Sequence, residues 1–274
     1  MADVRRMMAE VGVDGVPEWL TADPVAPDLS WEKGSLGSVV LALKGGDPEV
    51  LKAMAGCYAK RFRKSWRDLR GGLAVFMAPS RAHERRSRNS SGLVEALCAA
   101  MGLPVVALAS TTLHGRGSGR QGEPDESFYV GEKAAEYQRM ERSGVGEDEL
   151  DAWADGQPAD LVVEVEHTHY EAAKRSIYRD AGIRELWEIA TPQAGRETAI
   201  TNLQGNVGAE PVGVSEVVPG VCADGIKDPL DVLREIGGLS QFMLAMGAGE
   251  PVASRVLDAS GVEMHERAPG KEAQ

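Results

Sequence analysis

The sequence predicts an α/β protein: a mixed β-sheet flanked by helices, with helical additions at both ends. Three observations predict it. Residues 161–165, Leu-Val-Val-Glu-Val, are apolar and β-branched apart from one acid, the composition of a strand buried on both faces. Residues 73–77 and 103–109 are two further apolar runs, separated by a stretch with helical spacing at Leu93, Leu97, Ala100 and Met101. The resulting order of strand, helix, strands, helix, strands suits helices packed on a sheet.

Taken in order, residues 1–45 are rich in Gly, Pro and Asp and read as loops and short helices around isolated Trp19 and Trp31. Asp47-Pro48 reads as a helix start, with aspartate at the cap and proline in the first turn. Residues 49–63 continue that helix, with apolar spacing at Val50, Met54, Cys57, Tyr58 and Phe62, and Gly71-Gly72 breaks the pattern. Residues 73–77 follow as a strand, closed by Pro79-Ser80. Ser80 can cap a helix over 81–101, which Gly102 ends before the apolar strand at 103–109. Residues 114–122 read as a Gly- and Arg-rich loop, and 127–130 as a strand entered through Glu123-Pro124-Asp125. The polar, acidic stretch 132–155 predicts helix plus loop. Residues 161–166 form the central strand, and 170–181 a helix closed by Gly182 in the left-handed position. Two more strands are predicted at 184–189 and 198–203; Trp66 and Trp187 read as core. Asp228-Pro229 starts a last helix reaching about residue 245, before a loose tail. The chain thus divides into an N-terminal loop and helical extension over 1–64, a main domain over 65–215, and a C-terminal helix with a flexible tail over 216–274.

At 274 residues, 43% hydrophobic and 26% charged, the composition is that of a globular protein. No apolar run approaches the ~20 residues of a membrane helix, and the first ten residues lack the apolar stretch of a secretory signal. The expectation is a cytoplasmic protein with no membrane partner. Three widely spaced cysteines, Cys57, Cys98 and Cys222, with no CxxC pair, predict buried thiols rather than a zinc ribbon or a disulfide framework. The net charge of -12 is unevenly spread. Residues 51–90 hold eleven Lys and Arg against Asp68 and Glu84, while 123–166 hold fourteen acids against Lys133, Arg139 and Arg142. Such asymmetry pairs a face for anionic ligands with a metal-binding or solvated acidic face.

The chemistry centres on Glu164. A carboxylate in a buried run must lose its water, so it needs a cation or a metal. Asp125, at the start of a second strand, is its natural partner, although an aspartate after proline is also a common turn cap. Glu166, two residues on, projects to the same face of an ideal strand. Clustered carboxylates repel unless a metal neutralises them, and Mg²⁺ needs only two or three because it keeps several waters. Lys174 and Tyr178 lie one helical turn apart and share a face. A lysine there can orient an attacking water or offset charge building on a phosphate. Phosphodiester hydrolysis is the reaction such a set can perform. Arg81, Arg85, Arg86 and Arg88, with His83, can contact a phosphate backbone, or simply form a solvated face. Glu84 suits a helix first turn and can also assist a metal. His167 and His169 would support a rival reading, a zinc hydrolase on a small substrate.

Several strings then resemble a known family: MAPSRAHE (77–84), ASTTL (109–113), EPDESFYV (123–130), DLVVEVEHTHYEAAKRSIY (160–178) and AGIRELW (181–187). In this order and spacing, over about residues 66–190, they resemble the Uma-type putative restriction endonuclease family of the PD-(D/E)XK nuclease superfamily. The resemblance implies a restriction-endonuclease-like core and a Mg²⁺-dependent endonuclease acting on DNA, with Mn²⁺ as a possible substitute and a homodimer as a common assembly. Asp125 then matches the aspartate of the PD element, Glu164 the acid of the (D/E)XK element, and Glu84 the helical glutamate that assists the metal. The usual lysine two residues after the acid is Glu166 here, and Lys174, ten residues after it, takes the place seen in this branch. A first-strand acid of relatives is Val75 in this chain. That departure keeps open a nuclease-like module that binds nucleic acid or protein without cutting.

Overall fold

Alternating apolar residues and turn-forming glycines set most of the strands, and tertiary pairing sets the rest. The computed structural model describes residues 28–33, 39–46, 48, 51, 52, 55, 62, 64–68, 71–79, 81–116, 119–166, 171–190, 197–204 and 211–223. Its first elements are β1 (Asp28–Lys33), β2 (Val39–Lys44), β3 (Lys64–Asp68), β4 (Leu73–Ala78) and helix α1 (Arg81–Ala100). Next come β5 (Val105–Ala107), β6 (Leu113–His114), β7 (Arg120–Gly122) and β8 (Glu126–Val130), then helices α2 (Glu132–Arg142) and α3 (Glu147–Gly156). The series ends with β9 (Leu161–Glu166), α4 (Glu171–Asp180), β10 (Glu185–Ala190), β11 (Ala199–Asn202) and β12 (Pro211–Val212). The described chain is therefore mixed α/β, and no helix in it is long and apolar enough to cross a membrane.

The chain falls into two units built from interleaved segments. The first comprises Met1–Glu84, Thr112–Glu123 and Thr168–Ala181; the second comprises Arg85–Thr111, Pro124–His167 and Gly182–Gln274.

In the first unit the strands form one antiparallel sheet in the order β1-β2-β4-β3-β7-β6. Helix α4 packs on β3, β6 and β7. Its core includes Leu43, Leu51, Phe62, Trp66, Val75, Phe76, Ile177 and Tyr178. Two expectations change here. Residues 28–33 and 39–44 are paired strands rather than loops and short helices: Asp28-Leu-Ser-Trp-Glu-Lys33 has little β-branched content, and its pairing with the apolar Val39–Lys44 supplies what propensity does not. Residues 114–122 contain β7 and the end of β6 rather than a loop. Arg120 fixes β7 by donating to Asp68 at 2.8 Å and to Asp180 at 2.6 Å, contacts invisible from spacing. Of the helix expected after Asp47-Pro48, residues 48, 51, 52 and 55 are helical, Phe62 lies in a bend rather than in the helix, and the others lie outside the described residues.

In the second unit the order is β12-β11-β10-β9-β8-β5, with β9 and β10 parallel and the other pairs antiparallel. One face carries Phe128, Val130, Leu161, Val163, Trp187 and Ile189, which pack with Leu93, Val94, Leu97 and Cys98 of α1 and with Val217, Val218 and Val221. The alternation of inward residues along β9 is the period of two that a strand imposes. Helix α2 packs on β5 and β8, where Tyr129, Tyr137 and Trp153 form an aromatic group with centroids 5.4–5.9 Å apart. Burial pushes the Tyr129 hydroxyl up to about 12, helped by Tyr137, Asp160 and Asp155. The expected strand at 103–109 is cut to Val105–Ala107, because Ala109 takes φ 53° and a strand cannot continue through it. Gly182, at φ 86°, follows α4 in the left-handed region as expected, which a side chain would resist. Cys98 is buried, its thiol pushed up to about 12 by burial and then by Glu95, whereas Cys222 is only half-buried. Cys57, the helix expected from 228 and the tail lie outside the described residues.

Candidate active site

Asp125 and Glu164 are set side by side by strand register. In the antiparallel pair β8–β9, Glu126 lies opposite Val163 and Ser127 opposite Val162. Continuing that register by one residue brings Asp125 opposite Glu164. Both are withdrawn from water, at 2% and 1% exposure. Asp125 is held by its Oδ2, which accepts the backbone N–H of Val165 at 2.7 Å. Ser87 of α1 lies 3.2 Å from the Asp125 carbonyl and 3.0 Å from Glu126 Oε1, so its hydroxyl ties the start of β8 to the helix. The proline before Asp125 keeps the entry extended, and the β-branched run of β9 makes the partner strand.

A third acid, which sequence reasoning passed over, adjoins this pair. In the parallel pair β9–β10, Glu188 lies opposite Glu164 and is 3% exposed. Glu164 and Glu188 are thus neighbours on β9 and β10, and Asp125 immediately precedes β8 on the other side of Glu164. The signal was present: Glu188 interrupts Leu186-Trp187-Glu188-Ile189 as Glu164 interrupts its own run. Glu166 lies opposite Ala190 in the same register, and its side chain is outside the described set, as are His167 and His169.

Among the described residues, no three His, Cys, Asp or Glu side chains converge as a preformed metal site. The donor chemistry of the Asp125–Glu164 pair nonetheless fits one class of ion. Two hard carboxylate oxygen donors side by side, away from water, suit a divalent cation that completes its shell with its own waters.

Not every buried acid has this character. Glu185 of β10 accepts from Trp187 Nε1 at 2.6 Å, Ser215 Oγ at 2.5 Å and the Glu216 N–H at 2.8 Å. These donors explain it as an anchor for the segment 211–223.

In the first unit, Lys174 of α4 is 6% exposed, and its Nζ stands 4.4 Å from the centroid of the Trp66 ring. The indole Nε1 of Trp66 donates to Tyr178 Oη at 2.8 Å. Tyr178 is one turn beyond Lys174, so the shared face expected from the spacing holds. Trp66 is core, as expected, and is also the platform under the lysine. Gly122 faces Trp66 in the β3–β7 register, and a Cβ there would sit 3.1 Å from Trp66 Cδ1 and 3.2 Å from Tyr178 Cε1.

On α1, Glu84 occupies the first turn, where the helix dipole favours an acid, and is half-buried. Arg81, Arg85 and Arg88 are exposed, and their spacing of four and three aligns them on one face. Arg86 is half-buried, and His83, grouped with these arginines by sequence, is withdrawn from solvent at 2% exposure. Val75 is a buried residue of β4.

With that geometry in place, comparison with protein families shows that a family model named Uma2 and described as "putative restriction endonuclease" matches residues 63–216, more than half of the chain. Comparison with curated proteins gives no match.

Proposed function

The chain belongs to the Uma2 family, described as putative restriction endonucleases, and from that premise we propose that it is a metal-dependent endonuclease that hydrolyses phosphodiester bonds in DNA. The observation that carries the proposal is the register that sets Asp125 beside Glu164 in a dry part of one sheet. Two desolvated carboxylates side by side repel each other, and a divalent cation relieves that repulsion. Asp125 and Glu164 are the residues that would hold it, with Mg²⁺ as the ion and Mn²⁺ as its substitute. Glu84 and Glu166 are assigned supporting roles on their places in the sequence motif. When bound, such an ion supplies the positive charge that activates water for attack and stabilises the phosphate in displacement.

The remaining steps fall to the chain itself. The Val165 amide orients the Asp125 carboxylate, so one acid is fixed before any ligand arrives. Lys174, assigned by its position ten residues after Glu164, presents an ammonium that offsets charge on the scissile phosphate. Arg81, Arg85 and Arg88 offer three exposed cations on one helix face, a pattern that suits successive backbone phosphates.

The test is plasmid cleavage in Mg²⁺ or Mn²⁺, with metal binding followed by calorimetry, for wild type, Asp125→Ala and Glu164→Ala. Metal binding and cleavage present in wild type and lost in both variants is the expected result. Unchanged cleavage in either variant would overturn the assignment. Val75 supports the second reading, since it puts a buried apolar residue where the family pattern has an acid. Nucleic-acid binding that survives with no cleavage of any DNA or RNA would favour that non-cutting module.

A further inference from the structure

We propose that Trp66 is a positioning residue: its indole face holds the Lys174 ammonium in place for the reaction. This deepens the nuclease reading and rests on it, because it gives a mechanical basis to the role assigned to Lys174. A lysine side chain has four rotatable carbons and carries a strongly hydrated point charge. At 6% exposure Lys174 has lost most of that water. Something must replace the hydration and choose one rotamer, or the charge wanders or is not kept.

The structure supplies a replacement on one side. The Nζ lies 4.4 Å from the Trp66 centroid, inside the ~6 Å range of a cation–π contact, and tryptophan has the strongest face for it. The ring is itself fixed. Its Nε1–H donates to Tyr178 Oη at 2.8 Å, so the indole cannot turn in its own plane without breaking a buried hydrogen bond. Tyr178 belongs to the same helix as Lys174, one turn later, so α4 both supplies the cation and clamps the ring that receives it. Gly122 completes the arrangement. Opposite Trp66 in the neighbouring strand, it leaves the space in which Ile177 and Tyr178 close on the indole; a Cβ there would stand 3.1 Å from Ile177 Cγ2. Four residues from three chain segments thus serve one ammonium.

The test combines a spectroscopic and a kinetic readout on the full chain. With lysine side chains labelled, the ε-methylene protons of Lys174, held over a ring face, are expected upfield of the other lysines. That shift should vanish in Trp66→Leu and persist in Trp66→Phe, which keeps a ring and removes the indole N–H. In plasmid cleavage, kcat should fall roughly tenfold in Trp66→Leu, the size of a desolvated cation–π contact, recover in large part in Trp66→Phe, and leave KM unchanged. An unshifted lysine in wild type overturns the proposal, and so does a folded Trp66→Leu that cleaves at the wild-type rate while Lys174→Ala does not. If Lys174→Ala itself cleaves normally, the assigned role of the lysine falls and the positioning role with it. If wild type cuts nothing, the nuclease reading fails, while the shift still decides whether the ring holds the ammonium.

Discussion

The two units keep charge away from water by different means. Among the described residues, the fully buried Lys, Asp and Glu side chains of the first unit are Lys64 and Lys174, and those of the second are Asp125, Asp160, Glu164, Glu185 and Glu188. Two cations of the first unit stand over ring faces: Lys174 over Trp66, and the half-buried Arg67 5.8 Å from the centroid of Phe76. Burial lowers the affinity of Arg67 for its proton, and Glu123 partly restores it. The second unit uses hydrogen-bond donors: the Val165 N–H for Asp125, the Val130 N–H at 3.1 Å and the Lys133 ammonium at 2.9 Å for Asp160, and Trp187, Ser215 and the Glu216 N–H for Glu185. The difference follows from the chemistry of each charge. A cation is attracted by the negative face of an aromatic ring, whereas a carboxylate needs donors, and a strand end or turn has backbone donors to spare.

Four substitutions would break or sharpen this contrast. The largest effect is expected at Glu185, where alanine leaves Trp187 Nε1, Ser215 Oγ and the Glu216 amide without their acceptor. A loss of about 3 kcal/mol or more is expected in urea denaturation, and a loss under about 1 kcal/mol would show that these donors do not anchor the segment. Next is Gly122→Ala, which crowds Trp66, Ile177 and Tyr178 and should cost about 1–2 kcal/mol on the same assay, with the Trp66 fluorescence altered. Unchanged stability and emission would mean that the slot under the lysine has room. Asp160→Asn removes an ion pair to the partly exposed Lys133 at 2.9 Å yet keeps an acceptor for Val130, so about 0.5–1 kcal/mol is expected from thermal melts.

The smallest effect concerns Glu95, which is half-buried on α1 and whose carboxyl burial holds above its ordinary 4.5. A raised folded-state value means that the native chain binds this proton more tightly than the unfolded chain does. The resulting stability is present in full below pH 4.5 and is lost as pH rises through the folded value. Glu95→Gln should therefore melt slightly higher than wild type at pH 7 and alike at pH 4. A variant that melts lower at pH 7 would show that the charged form is favoured where it stands.

Much of this was legible beforehand. The central strand, the long helix after Ser80, the helix ended by Gly182 and the strand begun at Glu126 all follow from period and punctuation. Asp125 and Glu164 stood out because a charge in or beside an apolar run demands an explanation, whereas Lys174 stood out through the family resemblance, by its place ten residues after Glu164. What was not legible depended on a partner distant in sequence. β1 and β7 have weak strand propensity and exist because β2 and β3 pair with them. Glu188 carried the same signal as Glu164, but only strand order makes it a neighbour. The burial of His83 is likewise decided by what packs around α1, which helical spacing does not reveal.

By itself, then, the sequence determined the mixed α/β class, most element positions and the residues whose charge sits badly in an apolar setting. These are local properties, written in periodicity and side-chain chemistry over a few neighbouring residues. Tertiary structure alone decided that Asp125 faces Glu164, that Glu188 stands beside them, and that Trp66 lies beneath Lys174. Those are registers between strands and a helix joined by chain segments of very different length, and register is fixed by packing over the whole sheet.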